Sequence, residues 1–385
     1  MLKQLLLLVA VFSCLQTNAQ TPDSSHLRVS LLTCGTGPET WETFGHTAIR
    51  IVDSARGTDM AYNYGTFSFG DDFALQFMRG KLLYYLSYYP YQNFIQEYRE
   101  VGRSVEEQEL LLSGDKKKEL QDFLHMNAEE ENRYYKYDFF FDNCATRIRD
   151  VFPKSLGKGF VFGKTPAATN RITFREIINQ YYAPKHWERL GVNVLLGSRI
   201  DKVMTNEDMM FLPDYLRDGI AKATLNGKSI AGAVTPILPN KVDMSIGLNE
   251  PFVLMCIICL LTIVGLTVKP LKALGKFMTF LLLFVTGLLG VLIIVMWLGT
   301  DHQGCQNNFN ILWLLPTNLM MAFARKRNKG RYAIIGIVLI IVSLLLHLLK
   351  VQGMLLLEYS PLWLALMLVF GTIYRRDRAN SHGQA

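Results

Sequence analysis

Two residues of this chain have the types and settings that thiol chemistry needs. Cys144 stands in FFFDNCATR, and His46 stands 98 residues earlier in FGHTAIRI. The thiolate, not the thiol, is the nucleophile, so a cysteine must have a depressed pKa or a base beside it. CATRIRDVF has helical spacing, with Ala145, Ile148 and Val151 on one side. Asp142 or Asn143 is a suitable N-cap for that helix. Cys144 then falls in the first turn, where the helix dipole and free N–H groups favour an anion and are expected to lower the thiol pKa. The same N–H groups could hold an oxyanion.

The base must come from the seven histidines. His46 opens an alternating strand after Gly45: His46, Ala48 and Arg50 point one way, Thr47, Ile49 and Ile51 the other. The other six have simpler settings: His26 and His382 near the ends, His125 and His186 in charged helical segments, His302 in a loop, His347 in an apolar run. No two have metal-ligand spacing, so neither a metal nor a cofactor is expected. The plain alternatives are a histidine satisfied by a backbone carbonyl and a Cys34–Cys144 disulfide. Two unusual settings together favour the Cys–His pair. Upstream of the cysteine, NRYYKYDFFF reads as an extended segment.

The rest of the chain says where these residues work. Residues 1–19 have Lys3, an apolar run from Leu5 to Leu15 and Thr17-Asn18-Ala19, the plan of a signal peptide too short to span a bilayer. Cleavage after Ala19 would discard Cys14. Residues 20–245 mix charged, aromatic and apolar residues as a globular domain does, and 246–378 hold apolar runs at 251–268, 277–299, 309–324, 332–350 and 355–374. These read as five spans, the third short and interrupted by Pro316. Lys269, Lys272 and Lys276, the segment RKRNKGR (325–331) and Arg375, Arg376 and Arg378 place alternate ends in the cytoplasm, with residues 379–385 as a cytoplasmic tail. The net charge of +7 is therefore topology rather than nucleic-acid recognition. The chain should sit in the inner membrane with its large domain in the periplasm.

TCGTGPETWETFGHTAIRI, YNYGTFSF and DNCATRIRD together resemble the periplasmic domain of the Bacteroides-type lipoprotein N-acyltransferases. The likeness continues through TFREIINQYY, WERLGVNVLLGSRID, FLPDYL and TDHQGCQNNFNILWLLP. One difference is CGTGP at 34–38, where relatives are expected to carry Cys-Ser-Pro-Gly. The resemblance implies an α+β periplasmic domain of permuted papain-like (NlpC-like, lecithin:retinol acyltransferase-like) fold, followed by an α-helical membrane domain. It also implies Cys144 as nucleophile and His46 as base. Asn143 is a candidate oxyanion donor, and Glu39 and Asn63 are rival candidates to orient His46, with Tyr62 or Tyr64 as further options and as substrate contacts. Asp301, His302, Asn308 and Asn310, in a loop more polar than a connection requires, are candidates to hold a lipid head group or acceptor. The tyrosine-rich LLYYLSYYPYQNF (82–94) suits either a packed strand or an interfacial surface.

The expected activity is transfer of an acyl chain from a phospholipid, through a Cys144 thioester, to the α-amine of a diacylglyceryl-cysteine lipoprotein. A membrane-anchored cysteine amidase or peptidase acting on cell-wall peptides needs the same pair but has no evident need for five spans. A non-catalytic membrane assembly module would have a dead site and could lose Cys144 without effect.

Overall fold

A computed structural model of the chain describes residues 26–68, 70, 72–166, 171–324 and 329–382; the segment 1–19, expected to be a signal peptide, and positions 325–328 of the basic segment lie outside the described residues. The first half builds β1 (Leu27–Cys34), β2 (His46–Asp53), β3 (Thr58–Phe67), α1 (Phe73–Arg79), β4 (Leu83–Pro90), α2 (Tyr91–Val101) and β5 (Val105–Leu110). Then come α3 (Gly114–Ala128), β6 (Tyr134–Lys136), α4 (Cys144–Leu156), β7 (Phe160–Val161), α5 (Phe174–Tyr181), α6 (His186–Leu195), α7 (Asn206–Met209) and α8 (Pro213–Ala221). Strands β8 (Thr224–Leu225), β9 (Lys228–Ser229) and β10 (Ala231–Leu238) lead to helices α9 (Glu250–Thr267), α10 (Lys272–Leu298), α11 (Thr317–Phe323), α12 (Lys329–Leu348) and α13 (Leu356–His382).

Seven strands form one antiparallel sheet in the order β10-β5-β1-β2-β3-β4-β6. β1 lies well inside it and is covered on both faces, which is why LRVSLLTC reads as a nearly unbroken apolar run. Leu31, Ile49, Tyr62 and Tyr64 face α3, α4 and α8 through residues such as Leu120, Ile148 and Leu216. Leu32, Ala48 and Ala61 face Tyr91, Phe94 and Tyr98 of α2. The tyrosine-rich segment divides between β4, whose Tyr84 and Leu86 are buried, and α2.

The segment before Cys144 is extended only over β6. Asp138 Oδ1 accepts from the N–H groups of Phe140 and Phe141, and the backbones of Asp138 and Asp142 pair. That local bonding turns the chain back where a strand was expected. It sends Phe140 into a second core with Phe174 and Phe211 and delivers Asn143 to the head of α4.

The C-terminal region has four helices long and apolar enough to cross a membrane, α9, α10 with the turn before it, α12 and α13. The expected third span is different. Residues 309–312 form a 3-10 turn and α11 has seven residues, far fewer than the ~20 a helical crossing takes. Pro316 stands immediately before α11 and lacks the N–H that would continue a helix through it. The segment lies along α10: Gly290 packs against the Leu314 carbonyl, Gly287 against Leu319, and Phe280 against Phe323.

The two parts are bonded together. Buried Arg175 of α5 donates to Asp201, Asn193 and the Leu196 and Gly197 carbonyls, and Asp201 accepts from the Gly353 N–H at the α12–α13 tip. Arg189 pairs with buried Glu358 of α13. Trp187 Nε1 donates to Glu250 at the start of α9.

Candidate active site

Cys144 is the first residue of α4, and Asn143 is its N-cap, accepting from the Thr146 N–H while Thr146 Oγ1 accepts from the Asn143 N–H. This box fixes where the thiol stands. The backbone N–H groups of Thr47, Ala145 and Cys144 itself each favour the thiolate. Burial nevertheless dominates: it pushes the thiol up to about 11, against those three N–H groups and the Arg103 guanidinium. Burial thus opposes the depression expected of the helix start, because desolvating a thiolate costs free energy that one helix turn returns only in part. At neutral pH Cys144 is a thiol.

His46 heads β2. Its Nε2 is 2.5 Å from Asn63 Oδ1 of β3. Asn63 Nδ2 points to Tyr89 Oη, at 3.4 Å, so the amide oxygen faces the ring. Nε2 is then the protonated nitrogen and Nδ1 the one free to take a proton. Burial lowers the imidazole pKa to about 4, with Arg103 adding to the fall and Asn63 opposing it. His46 is therefore neutral at physiological pH, and the pair rests as thiol and imidazole rather than as an ion pair.

Gly65 brings the two together. A Cβ on this residue would stand 3.6 Å from both Cys144 Cβ and His46 Cε1, and its φ of +102° belongs to glycine. The space a side chain would fill is the space between nucleophile and base. Gly45, at φ +73°, lets the chain turn into β2 against the Cys34 carbonyl, where a Cβ would be 2.5 Å away. Gly45 thus packs against the end of β1. Cys34 itself is a buried free thiol raised to about 12 by burial.

The other candidates separate clearly. Asn63 lies on the ring of His46, whereas Glu39 is exposed on the 40–42 turn and offers its carbonyl to Lys185. Asn143 has no donor left for an oxyanion: its Nδ2 donates to the Phe139 and Phe211 carbonyls. Tyr62 and Tyr64 face away from Asn63. Tyr62 Oη meets His125 Nε2 at 2.6 Å, so His125 is partnered rather than simply solvated. Tyr64 lines a cavity of about 250 Å³ with Phe141, Arg147 and Lys154. Asp301 pairs with Lys136, and His302 bonds the Phe77 carbonyl. Asn308 and Asn310 are fully buried, with Nδ2 atoms on the Asn193, Val194 and Leu195 carbonyls at the end of α6. They cap a helix across the boundary between the two parts, so neither can receive a head group.

Two residues near the site carried no motif in the sequence. Arg103 donates to the Gly35 carbonyl and pairs with Glu42, and Lys185 Nζ donates to the Gly37 and Glu39 carbonyls and to Thr43. Together they hold the loop before His46. Among the described residues, no three His, Cys, Asp or Glu side chains converge as a metal would require.

Residues 16–180 match the model of the Lnb N-terminal periplasmic domain, and residues 243–378 match that of the Lnb transmembrane domain. No curated protein and no solved structure matches the chain.

Proposed function

The chain belongs to the Lnb family, the Bacteroides-type lipoprotein N-acyltransferases, and on that premise we propose that it moves an acyl chain from a phospholipid to the N-terminal amine of diacylated lipoproteins through a thioester on Cys144. The observation that carries the reading is the approach of Cys144 Cβ and His46 Cε1 to the same open position beside Gly65.

Because both groups rest neutral, the proton moves as the bond forms. Cys144 Sγ attacks the ester carbonyl carbon while His46 Nδ1 takes the thiol proton. The oxyanion is held by backbone N–H groups of the first turn of α4. The ester C–O bond breaks, His46 returns the proton to the departing alkoxide, and a lysophospholipid leaves. In the second half, an unprotonated α-amine attacks the thioester. His46 accepts the amine proton, the C–S bond breaks, and the sulfur leaves as the thiol once the proton reaches it. Asn63 keeps Nε2–H in place, so that Nδ1 remains the working nitrogen.

The permuted papain-like assignment rests on the order of the pair, with the base on β2 and the thiol at the head of α4. The topology we favour has five crossings, the third made by the broken 309–324 segment. Non-helical backbone at membrane depth is tolerated where protein covers it, and Trp313, Leu314, Asn310 and Asn318 are all buried. A reporter fused after Arg378 should then be cytoplasmic and one inserted near Gln306 periplasmic; both on one side would refute this topology.

The deciding experiment traps the intermediate. Full-length protein with phospholipid and no acceptor should gain one acyl chain at Cys144, removable by neutral hydroxylamine. A diacylated lipopeptide should discharge it to a triacylated product. Acylation of the acceptor with no mass gain on the protein would overturn the acyl-enzyme route.

A further inference from the structure

Helix α1 is anomalous. It has seven residues and buries none of them, with Phe77 52% and Met78 57% exposed and Leu75 also exposed. A helix this short is not stable alone in water. Its height relative to the membrane is set by bonds to residues directly following α10: the Asp301 N–H donates to the Arg79 carbonyl, His302 Nε2 lies 3.1 Å from the Phe77 carbonyl, and Gly80 abuts His302. The last turn of α10 still presents Val295 and Leu298 outward. Thus α1 lies at the level where a membrane helix leaves the hydrocarbon. Arg79 and Lys81, at its end, are exposed.

A second unburied apolar residue is tied to the same surface elsewhere. Trp41 is 78% exposed on the 40–42 turn. Lys185 holds that turn, and the next two residues, His186 and Trp187, bond Gly247 and Glu250 at the start of α9. Both features adjoin the base side of the site in sequence: the Trp41 turn runs into His46, and Gly65 near the end of β3 is followed by α1.

We propose that α1 and the Trp41 turn are two halves of one membrane-contact surface, seated among the phospholipid head groups and upper acyl chains of the outer leaflet, so that the donor reaches Cys144 between them. Tryptophan and phenylalanine suit that boundary, and Arg79 and Lys81 match lipid phosphates. The route to Cys144 rests on the proposed acyl transfer; the contact with lipid does not.

Photolabelling separates the two. Full-length protein in vesicles containing a phospholipid with a diazirine in its acyl chain should carry adducts on residues 73–79 and on Trp41, as well as on the membrane helices. Adducts confined to the membrane helices would overturn the surface. The double variant Phe77→Asp, Met78→Asp should form the Cys144 adduct from bilayer phospholipid about tenfold more slowly, as expected for lost apolar contact, while a water-soluble short-chain acyl thioester loads Cys144 at the wild-type rate. Equal loss with both donors, or loss with neither, would overturn the route. Labelling at these residues in a protein that never forms a lipid-derived adduct would leave the surface standing and sink the acyl-transfer reading.

Discussion

The surroundings of Gly65 and the loop 299–310 are both rich in polar groups, yet they differ in what those groups have left to offer. At Gly65 the imidazole has one nitrogen bonded to Asn63 and one free, and the Cys144 side chain borders the same open space. In the loop, Asn308 and Asn310 have both amide ends engaged, and Asp301 and His302 are bonded to Lys136 and Phe77. Chemistry needs unused bonding capacity beside open space. A saturated cluster supplies rigidity instead.

The largest effect should come from removing the thiol. Cys144→Ala is expected to lower N-acylation by on the order of 10⁴-fold or more, as loss of a nucleophile does, while the protein still accumulates in the membrane. Mass spectrometry of lipoprotein N-termini reads this directly. Retained acylation would mean that the Gly65 pocket is not the site.

Filling the gap should come next. Gly65→Ala places a methyl between the pair at a φ of +102° and should cost at least about tenfold in adduct formation, together with ~1–3 kcal/mol of stability from backbone strain. An alanine variant with unchanged adduct formation would contradict the shared-space argument.

Asn63→Ala should slow adduct formation about tenfold, the worth of one hydrogen bond to the ring. Glu39→Ala, on the exposed turn, should leave it unchanged. The reverse ranking would return Glu39 to the site.

The loop should respond in the opposite way. Asn308→Ala and Asn310→Ala should each destabilise the protein by ~1–3 kcal/mol, because buried carbonyls of α6 lose their donors. The thermal midpoint in detergent should fall, while the rate per folded molecule holds. A fall in rate with no change in midpoint would make the loop a substrate site after all.

The smallest and sharpest test is pH. His46, lowered to about 4, stays neutral above that value, and Cys144, raised to about 11, stays a thiol below it. Adduct formation should therefore be flat from about pH 5 to 9 and fall on the acid side as His46 is protonated. Transfer to the acceptor should instead rise with pH as its α-amine, ordinarily near 7.7–8.0, loses a proton. A steep rise of adduct formation near neutrality would mean that the pair does not rest neutral.

Local sequence determined a good deal of this protein. The alternation after Gly45, the helical spacing after Cys144, the Asn143 cap and four long apolar helices are all short-range patterns, and short-range patterns are legible because their partners lie within a few residues. What only the tertiary structure decided were the interactions between distant residues. Asn63 reaches His46 from the neighbouring strand, and Glu39 does not reach it although it is nearer in the chain. Arg103 and Lys185, 61 and 142 residues away from their partners Glu42 and Thr43, carry no motif. The direction of the thiol's pKa shift was also set at this level. A helix start favours the anion locally, but the cost of burying that anion depends on everything packed around it. The broken third segment is tolerable for a similar reason. Hydropathy reports a residue's preference for lipid, whereas α10 and its neighbours supply the cover that lets an irregular backbone lie there.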